Sequence, residues 1–225
     1  MTARLIAYTQ GAEKLMTDAA TQFADPDAII GYCARVSNPA NQENPDVAGL
    51  LRYCARNGHW SVFEMANAVV EIESTRDIAR QMLRHRSFSF QEFSQRYGEV
   101  SDMQIDTPMR EARLQDTKNR QNSLQCNDVQ LARQWEDAQA EVNRRARMVY
   151  EWALHHGIAK EQARAVLPEG LTPSRMYVNG TLRSWITYLQ VRLDPSTQKE
   201  HREVAAQVLE VLHPVAPITF GALFP

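Results

Sequence analysis

The sequence predicts the α+β class: one domain over residues 1–225, with a central, mainly antiparallel sheet flanked by helices. Three observations carry that expectation. The chain has 225 residues, 44% of them hydrophobic and 23% charged, which suits one substantial globular core. Short segments alternate apolar and polar residues, as at Ala68, Val70 and Ile72, the period of a half-buried strand. Longer segments repeat apolar residues at helical spacing, most clearly over 128–156 and 181–193.

In chain order, Arg4 to Thr9 predicts a first strand. Asp25-Pro26 is a cap followed by proline at the first helical position, so a helix is expected through IIGYCARVS until Asn38-Pro39. Asn44-Pro45 repeats the device before DVAGLLRYCARN, and Gly58 suits the residue just past a helix end. His59 to Glu64 leads into the Ala68–Ile72 strand, whose other face carries Val69, Glu71 and Glu73. TRDIARQML predicts a helix with Ile78, Ala79, Met82 and Leu83 on one arc and Gln81, Arg84 and His85 opposite. Ser101 to Asp128 shows little periodicity and many polar residues, so a long surface excursion is expected there. Asn127 or Asp128 then caps a long amphipathic helix marked by Leu131, Trp135, Ala138, Val142, Val149 and Trp152 and ending at Gly157. A short helix is expected over Ala159 to Leu167, then a strand over Thr172 to Val178 with Asn179-Gly180 as its turn. Asp194-Pro195 stops the helix TLRSWITYLQVRL. A further amphipathic helix covers Ser196 to Leu212, and Pro214, Pro217 and Pro225 predict an irregular end.

The stretch richest in chemistry is RHRSFSFQEFSQRY, from Arg84 to Tyr97. Its three arginines suit a phosphate, a carboxylate or another anionic ring system. Phe88, Phe90 and Phe93 between them suit something flat. The bland reading is a solvated basic helix end, since cations favour a helix C-terminus. If the helix runs as far as Arg86, that guanidinium enters the apolar arc, where an unpaired cation is costly. Either the helix stops earlier, or an anion waits for it.

The same stretch resembles the signature of the flavin-dependent thymidylate synthases, RHRxxSxxxxSxR. Arg84, His85, Arg86, Ser89, Ser94 and Arg96 fill every fixed place. Gln91 departs from the asparagine often found there. Upstream, Gly58, His59, Ser61, Phe63 and Glu64 resemble the family's GH…FE segment. Downstream, Arg164-Ala165-Val166-Leu167-Pro168 resembles its Arg-x-x-Leu-Pro sequence, and Arg192 fits the arginine that ends its last catalytic helix. Thr181 and Thr187 stand where the family has asparagine, and Arg183 between them is kept.

The resemblance implies reductive methylation of deoxyuridine monophosphate (dUMP) at C5. Methylenetetrahydrofolate supplies the carbon, and NADPH supplies hydride through FAD. It implies that Gln81, Arg84, Glu92, Ser94, Gln95, Arg96, Arg164 and Arg192 hold dUMP, with Arg192 also catalytic. It implies that Ser61, Arg84, His85, Arg86, Glu92, Thr181, Arg183 and Thr187 meet FAD. It further implies a homotetramer with active sites shared between subunits. The chain has no glycine-rich dinucleotide fingerprint, so side-chain cations are the means available for holding the FAD pyrophosphate.

Composition narrows the alternatives. The net charge is −2, so the basic cluster is local, and nothing draws the whole chain to nucleic acid or an anionic membrane. No apolar run approaches the roughly 20 residues of a membrane span, and the N-terminus lacks a signal-peptide core. Cys33, Cys54 and Cys126 show no metal-ligand spacing, so no metal site is expected. They suit reduced thiols in a cytoplasm. Two other classes stay open: a single-stranded nucleic-acid-binding module using Arg84–Arg96, and a helical interaction protein.

Overall fold

The computed structural model describes residues 1–12, 24–106 and 109–225. Four strands form the central sheet: β1 (Thr2–Tyr8), β2 (Asn67–Thr75), β3 (Ser89–Glu92) and β6 (Pro173–Thr181), in the order β1-β2-β6-β3. Every pairing is antiparallel. Val70 pairs with Val178 and Ile72 with Met176, and all four are fully buried. The opposite face pairs Glu71 with Tyr177 and Glu73 with Arg175. Ion pairs join Arg4 to Glu71 at 2.9 Å and Arg175 to Glu73 at 2.6 Å there. One apolar and one charged face is what period-two alternation produces in an antiparallel sheet.

The apolar face is covered by α3 (Arg76–Met82), α6 (Leu182–Arg192) and α7 (Lys199–Leu212). Trp185, Leu189, Val204, Val208 and Leu212 join the strand residues in one core. Three more helices continue it: α1 (Pro26–Ala34), α2 (Ala48–Arg56) and α8 (Pro217–Leu223). Asp25 caps α1 by accepting from the Ala28 amide, with Pro26 following it. Gly58 follows α2 at φ +69°, a conformation that costs glycine little. Asp128 takes the cap of α4 (Val129–His155), accepting from the Gln130 and Leu131 amides.

Several expectations change. β1 begins at Thr2 rather than Arg4. The helix expected over Ala159 to Leu167 divides into α5 (Lys160–Ala163) and a 3-10 turn over Arg164–Val166. Asn179-Gly180 is not a turn. Asn179 pairs with both Val69 and Ser89, and Gly180 pairs with Ala68, so ladder bonds on both sides hold the strand straight. A side chain at Gly180 would put Cβ 2.3 Å from Phe88 Cδ1, so the glycine serves close approach rather than chain reversal. The tail is not irregular, because Asp27 caps α8. Its carboxylate accepts from the Ile218 amide at 2.7 Å and from the Thr219 amide at 3.2 Å. The polar excursion contains a hairpin of β4 (Arg113–Gln115) and β5 (Ser123–Gln125). Thr107 and Pro108 of that excursion lie outside the described residues.

Candidate active site

The Arg84–Tyr97 stretch leaves the helix before its first arginine. α3 ends at Met82 and the His85 amide donates to the Met82 carbonyl at 2.9 Å, closing a turn. Arg86 is therefore exposed rather than driven into the core. Phe88 anchors the turn. It is buried against Trp185, with ring centroids 4.5 Å apart. Ser184 Oγ also donates to the Ser87 carbonyl at 3.1 Å. The chain then enters β3 and folds back at Ser94, whose carbonyl accepts from the Tyr97 and Gly98 amides.

This docking brings His85 against the end of α6. Arg192 Nε donates to His85 Nε2 at 2.9 Å. Burial, then the Arg192 charge, pulls the His85 pKa down to about 4, so the imidazole is neutral near pH 7 and accepts. Burial, then the neighbouring Arg84 cation, also lowers the Arg192 pKa. Among the described residues, no carboxylate pairs with Arg192, Arg84, Arg86 or Arg164. Other arginines nearby are compensated: Arg96 by Glu161 at 3.2 Å, Arg183 by Glu64, and Arg80 by Glu169. Arg84 and Arg192 are thus neighbouring cations without a carboxylate counter-ion among the described residues, an arrangement that can receive an anion.

The remaining expected residues fall into smaller groups. Gln81 lies at the end of α3, its Oε1 3.1 Å from His201 Nδ1 and its Nε2 donating to Gln198 at 2.7 Å. Ser61 and Arg183 line one groove of about 580 Å³ with His59, Tyr53 and Trp60. Ser61 sits on a 3-10 turn over Trp60–Glu64, just before β2. Glu92 accepts from Ser174 Oγ at 2.6 Å and lies 3.6 Å from Arg76. Gln95 is buried, and its amide nitrogen has no partner among the described residues. Ser94 Oγ accepts from the Arg96 amide at 3.4 Å. Thr181 caps α6 by accepting from the Ser184 amide at 3.2 Å, and Thr187 donates to the Arg183 carbonyl at 3.0 Å. Among the described residues, no hydrogen bond or ion pair links Ser94, Arg96 or Arg164 to Arg192.

The family model described as thymidylate synthase complementing protein matches residues 4–218. A flavin-dependent thymidylate synthase of Synechocystis is 50% identical over 198 residues, which cover 88% of this chain and 89% of the relative. The chain belongs to the family of flavin-dependent thymidylate synthases. A probable flavin-dependent thymidylate synthase of Paramecium bursaria Chlorella virus 1 is 43% identical over 94% of this chain and 93% of its own. Among solved structures, the UMP/dUMP methylase PolB from Streptomyces cacaoi, bound with 5-Br dUMP, superposes with a TM-score of 0.76. It is 26% identical, and the match covers 98% of this chain and 93% of that one.

Two groups behind Arg192 went unmarked in the sequence. Tyr188 and His201 are both fully buried, with ring centroids 5.7 Å apart. Tyr188 also meets His85 edge-on at 5.2 Å. A signal for His201 was present: it falls on the buried α7 stripe with Val204, Val208 and Leu212, an unusual place for an imidazole.

Proposed function

We propose that this chain methylates dUMP at C5, giving thymidylate, with FAD as cofactor, 5,10-methylenetetrahydrofolate as carbon donor and NADPH as hydride source. The observation that carries this reading is Arg192. It is a partly buried guanidinium with no carboxylate partner among the described residues, held through Nε by a neutral histidine. That bond leaves its two Nη groups for a ligand. A planar two-donor edge matches the N3/O2 edge of uracil, where negative charge develops as C5 becomes nucleophilic. A fixed cation stabilises such charge without reorganising. The neutrality of His85 matters in this arrangement, because an imidazolium would repel the arginine and lose its acceptor lone pair.

The residues present fit a flavin dinucleotide. Arg84 and Arg86 are exposed cations without ion pairs among the described residues, suited to a pyrophosphate. Ser61 and Arg183 share a groove large enough for part of such a ligand. When bound, FAD supplies the redox chemistry of the reaction. The protein binds, orients and polarises. Gln81, Arg84, Glu92, Ser94, Gln95, Arg96 and Arg164 are proposed to hold dUMP beside Arg192. Thr181, Thr187, Glu92 and His85 are proposed to contribute to the flavin side.

The cysteines have no part in this chemistry. Burial raises the pKa of Cys33 and of Cys54, the opposite of an activated thiolate. We further propose a homotetramer. The long α4 leaves Leu131, Trp135, Val142, Met148 and Trp152 exposed, a stripe that suits subunit packing. A light-scattering mass of one 25.7 kDa chain would reject it. The three cysteines are unpaired, which supports a cytoplasmic enzyme, and a disulfide found in protein isolated from its native cells would oppose that. No helix among the described residues is long and apolar enough to cross a membrane. A single-stranded nucleic-acid role is not favoured, since Arg96 is already compensated by Glu161.

The test is direct. Purified protein should bind FAD, show flavin absorption and bind dUMP. A folded protein that binds neither ligand would overturn the proposal.

A further inference from the structure

Gln81 belongs to a chain of polar contacts whose direction can be followed from one end. Glu200, on α7, is a carboxylate 3.4 Å from Arg110. Gln198 lies 2.9 Å from Glu200 Oε2. A carboxylate only accepts, so the Gln198 nitrogen must face it and the Gln198 oxygen must face away. That oxygen accepts from Gln81 Nε2 at 2.7 Å. The Gln81 oxygen is then turned to His201 Nδ1, 3.1 Å away. An oxygen there requires Nδ1 to carry the proton, which leaves Nε2 as a bare acceptor. His201 Nε2 and the Tyr188 hydroxyl are both buried atoms without a hydrogen-bond partner among the described residues. The two side chains pack against each other, and in this tautomer they are a complementary acceptor and donor.

The ends of the relay differ in environment. His201 is fully buried, whereas Gln198 is exposed. The Gln81 oxygen therefore points into the core and its nitrogen points towards solvent, the side from which a ligand arrives. One N–H of that nitrogen is used by Gln198, and the second has no acceptor among the described residues.

We infer that His201, with Gln198, is a positioning residue of the nucleotide site, fixing the Gln81 amide so that an N–H donor rather than an oxygen faces the nucleotide. The inference rests on the proposal that Gln81 holds dUMP. The ligand group it selects is an acceptor: a nucleobase carbonyl or a sugar oxygen. Without the relay both amide orientations become accessible, and the wrong one presents an acceptor to an acceptor. Burial lowers the His201 pKa to about 3, which keeps the ring neutral in support of this arrangement.

The test uses FAD-loaded enzyme and reads the dUMP dissociation constant from the change in flavin absorption, together with flavin content and the KM–kcat split. Gln198→Leu removes an exposed anchor and should raise Kd and KM for dUMP about threefold to tenfold, the worth of one neutral hydrogen bond, with kcat little changed. His201→Leu should raise them at least as much. His201→Asn places an amide donor where Nδ1 stands and should restore affinity to within about twofold. Gln81→Glu keeps an acceptor for His201 but turns an anionic oxygen outward, and should weaken dUMP more than tenfold. Flavin content should stay at the wild-type level in each, which a merely structural loss would not preserve. Wild-type affinity in Gln198→Leu or in Gln81→Glu overturns the inference, as does failure of His201→Asn to restore a folded, flavin-replete enzyme. If His201→Leu does not fold, the other three variants still decide. A wild-type holoenzyme that fails to bind dUMP overturns the functional proposal itself and is recognised before any variant is made.

Discussion

Replacing Arg192 should separate methylation from flavin chemistry. Arg192→Ala removes a guanidinium that is partly buried, unpaired by carboxylate among the described residues, and held by a single bond of 2.9 Å to His85. Losing one preorganised donor costs about 10²–10³ in turnover, or roughly 2.7–4 kcal/mol. Arg192 is only partly withdrawn from solvent, so the lower end, about 10²-fold, is expected. The loss should fall in kcat and kcat/KM together, because the charge it is proposed to stabilise exists mainly in the transition state. His85 is itself only half-buried, so water can replace the lost donor and the fold should lose no more than about 1 kcal/mol. Arg192→Lys should recover part of the rate. An ammonium can serve His85 or the uracil edge, but it cannot present a planar pair of donors. The assay is paired: stopped-flow reduction of bound flavin by NADPH, and thymidylate formed in a single turnover. Flavin should bind and be reduced normally in Arg192→Ala while product formation collapses. If the variant cannot bind flavin, and whatever holoenzyme remains methylates at the normal rate, Arg192 is a cofactor anchor and the reasoning is refuted.

Three further outcomes follow from particular contacts. The triple variant of Cys33, Cys54 and Cys126 to Ala should lose some stability from packing at Cys54 yet keep most of its turnover. A folded triple variant without turnover would implicate a thiol. Histidines 85 and 201 have folded pKa values of about 4 and 3, below the ordinary 6.5. The unfolded chain therefore binds protons that the fold refuses, and stability is complete above about pH 6.5 and is lost as pH falls towards those values. Between pH 7 and 5, urea unfolding should show wild type losing roughly 2 kcal/mol more than His201→Asn. Asp27, whose pKa burial raises, acts in the opposite sense but is common to both proteins. Equal losses would contradict a buried neutral His201. Finally, Gly180→Ala puts Cβ 2.3–2.5 Å from the Phe88 ring, which is also packed against Trp185. Overpacking of about 1–3 kcal/mol is expected, and an unchanged melting temperature would show that the ring yields freely.

What could be read from the sequence was local or periodic. β2 was legible because one of its faces is buried and the other charged, so alternation survives in the text. α4 was legible from its length and the cap signal at Asn127 or Asp128, of which Asp128 takes the cap. β3 was not: its outward residues belong to the functional motif, and its existence depends on pairing with β6, 84 to 90 residues away in sequence at its four paired positions. Asn179-Gly180 misled for the same reason, since turn chemistry yielded to ladder bonds from two neighbours. In the site, motif spacing marked Arg84, His85 and Arg86, but not that His85 would be neutral, which is set by burial and Arg192 together. The partners Glu64 of Arg183 and Glu161 of Arg96 lie 119 and 65 residues away, and no periodicity connects them. His201 was the recoverable omission, a histidine on an apolar stripe.

The central claim, that this chain is a flavin-using methylase of dUMP at C5, is tested most directly by the fate of the hydrogen on that carbon. Purified enzyme would be incubated with dUMP tritiated at C5, FAD, 5,10-methylenetetrahydrofolate and NADPH, and each component omitted in turn. Tritium should be released to water in step with thymidylate formed. Full product formation should require every component, unless FAD has remained bound through purification. A folded, flavin-replete enzyme that binds dUMP but yields no thymidylate from the complete mixture would contradict it.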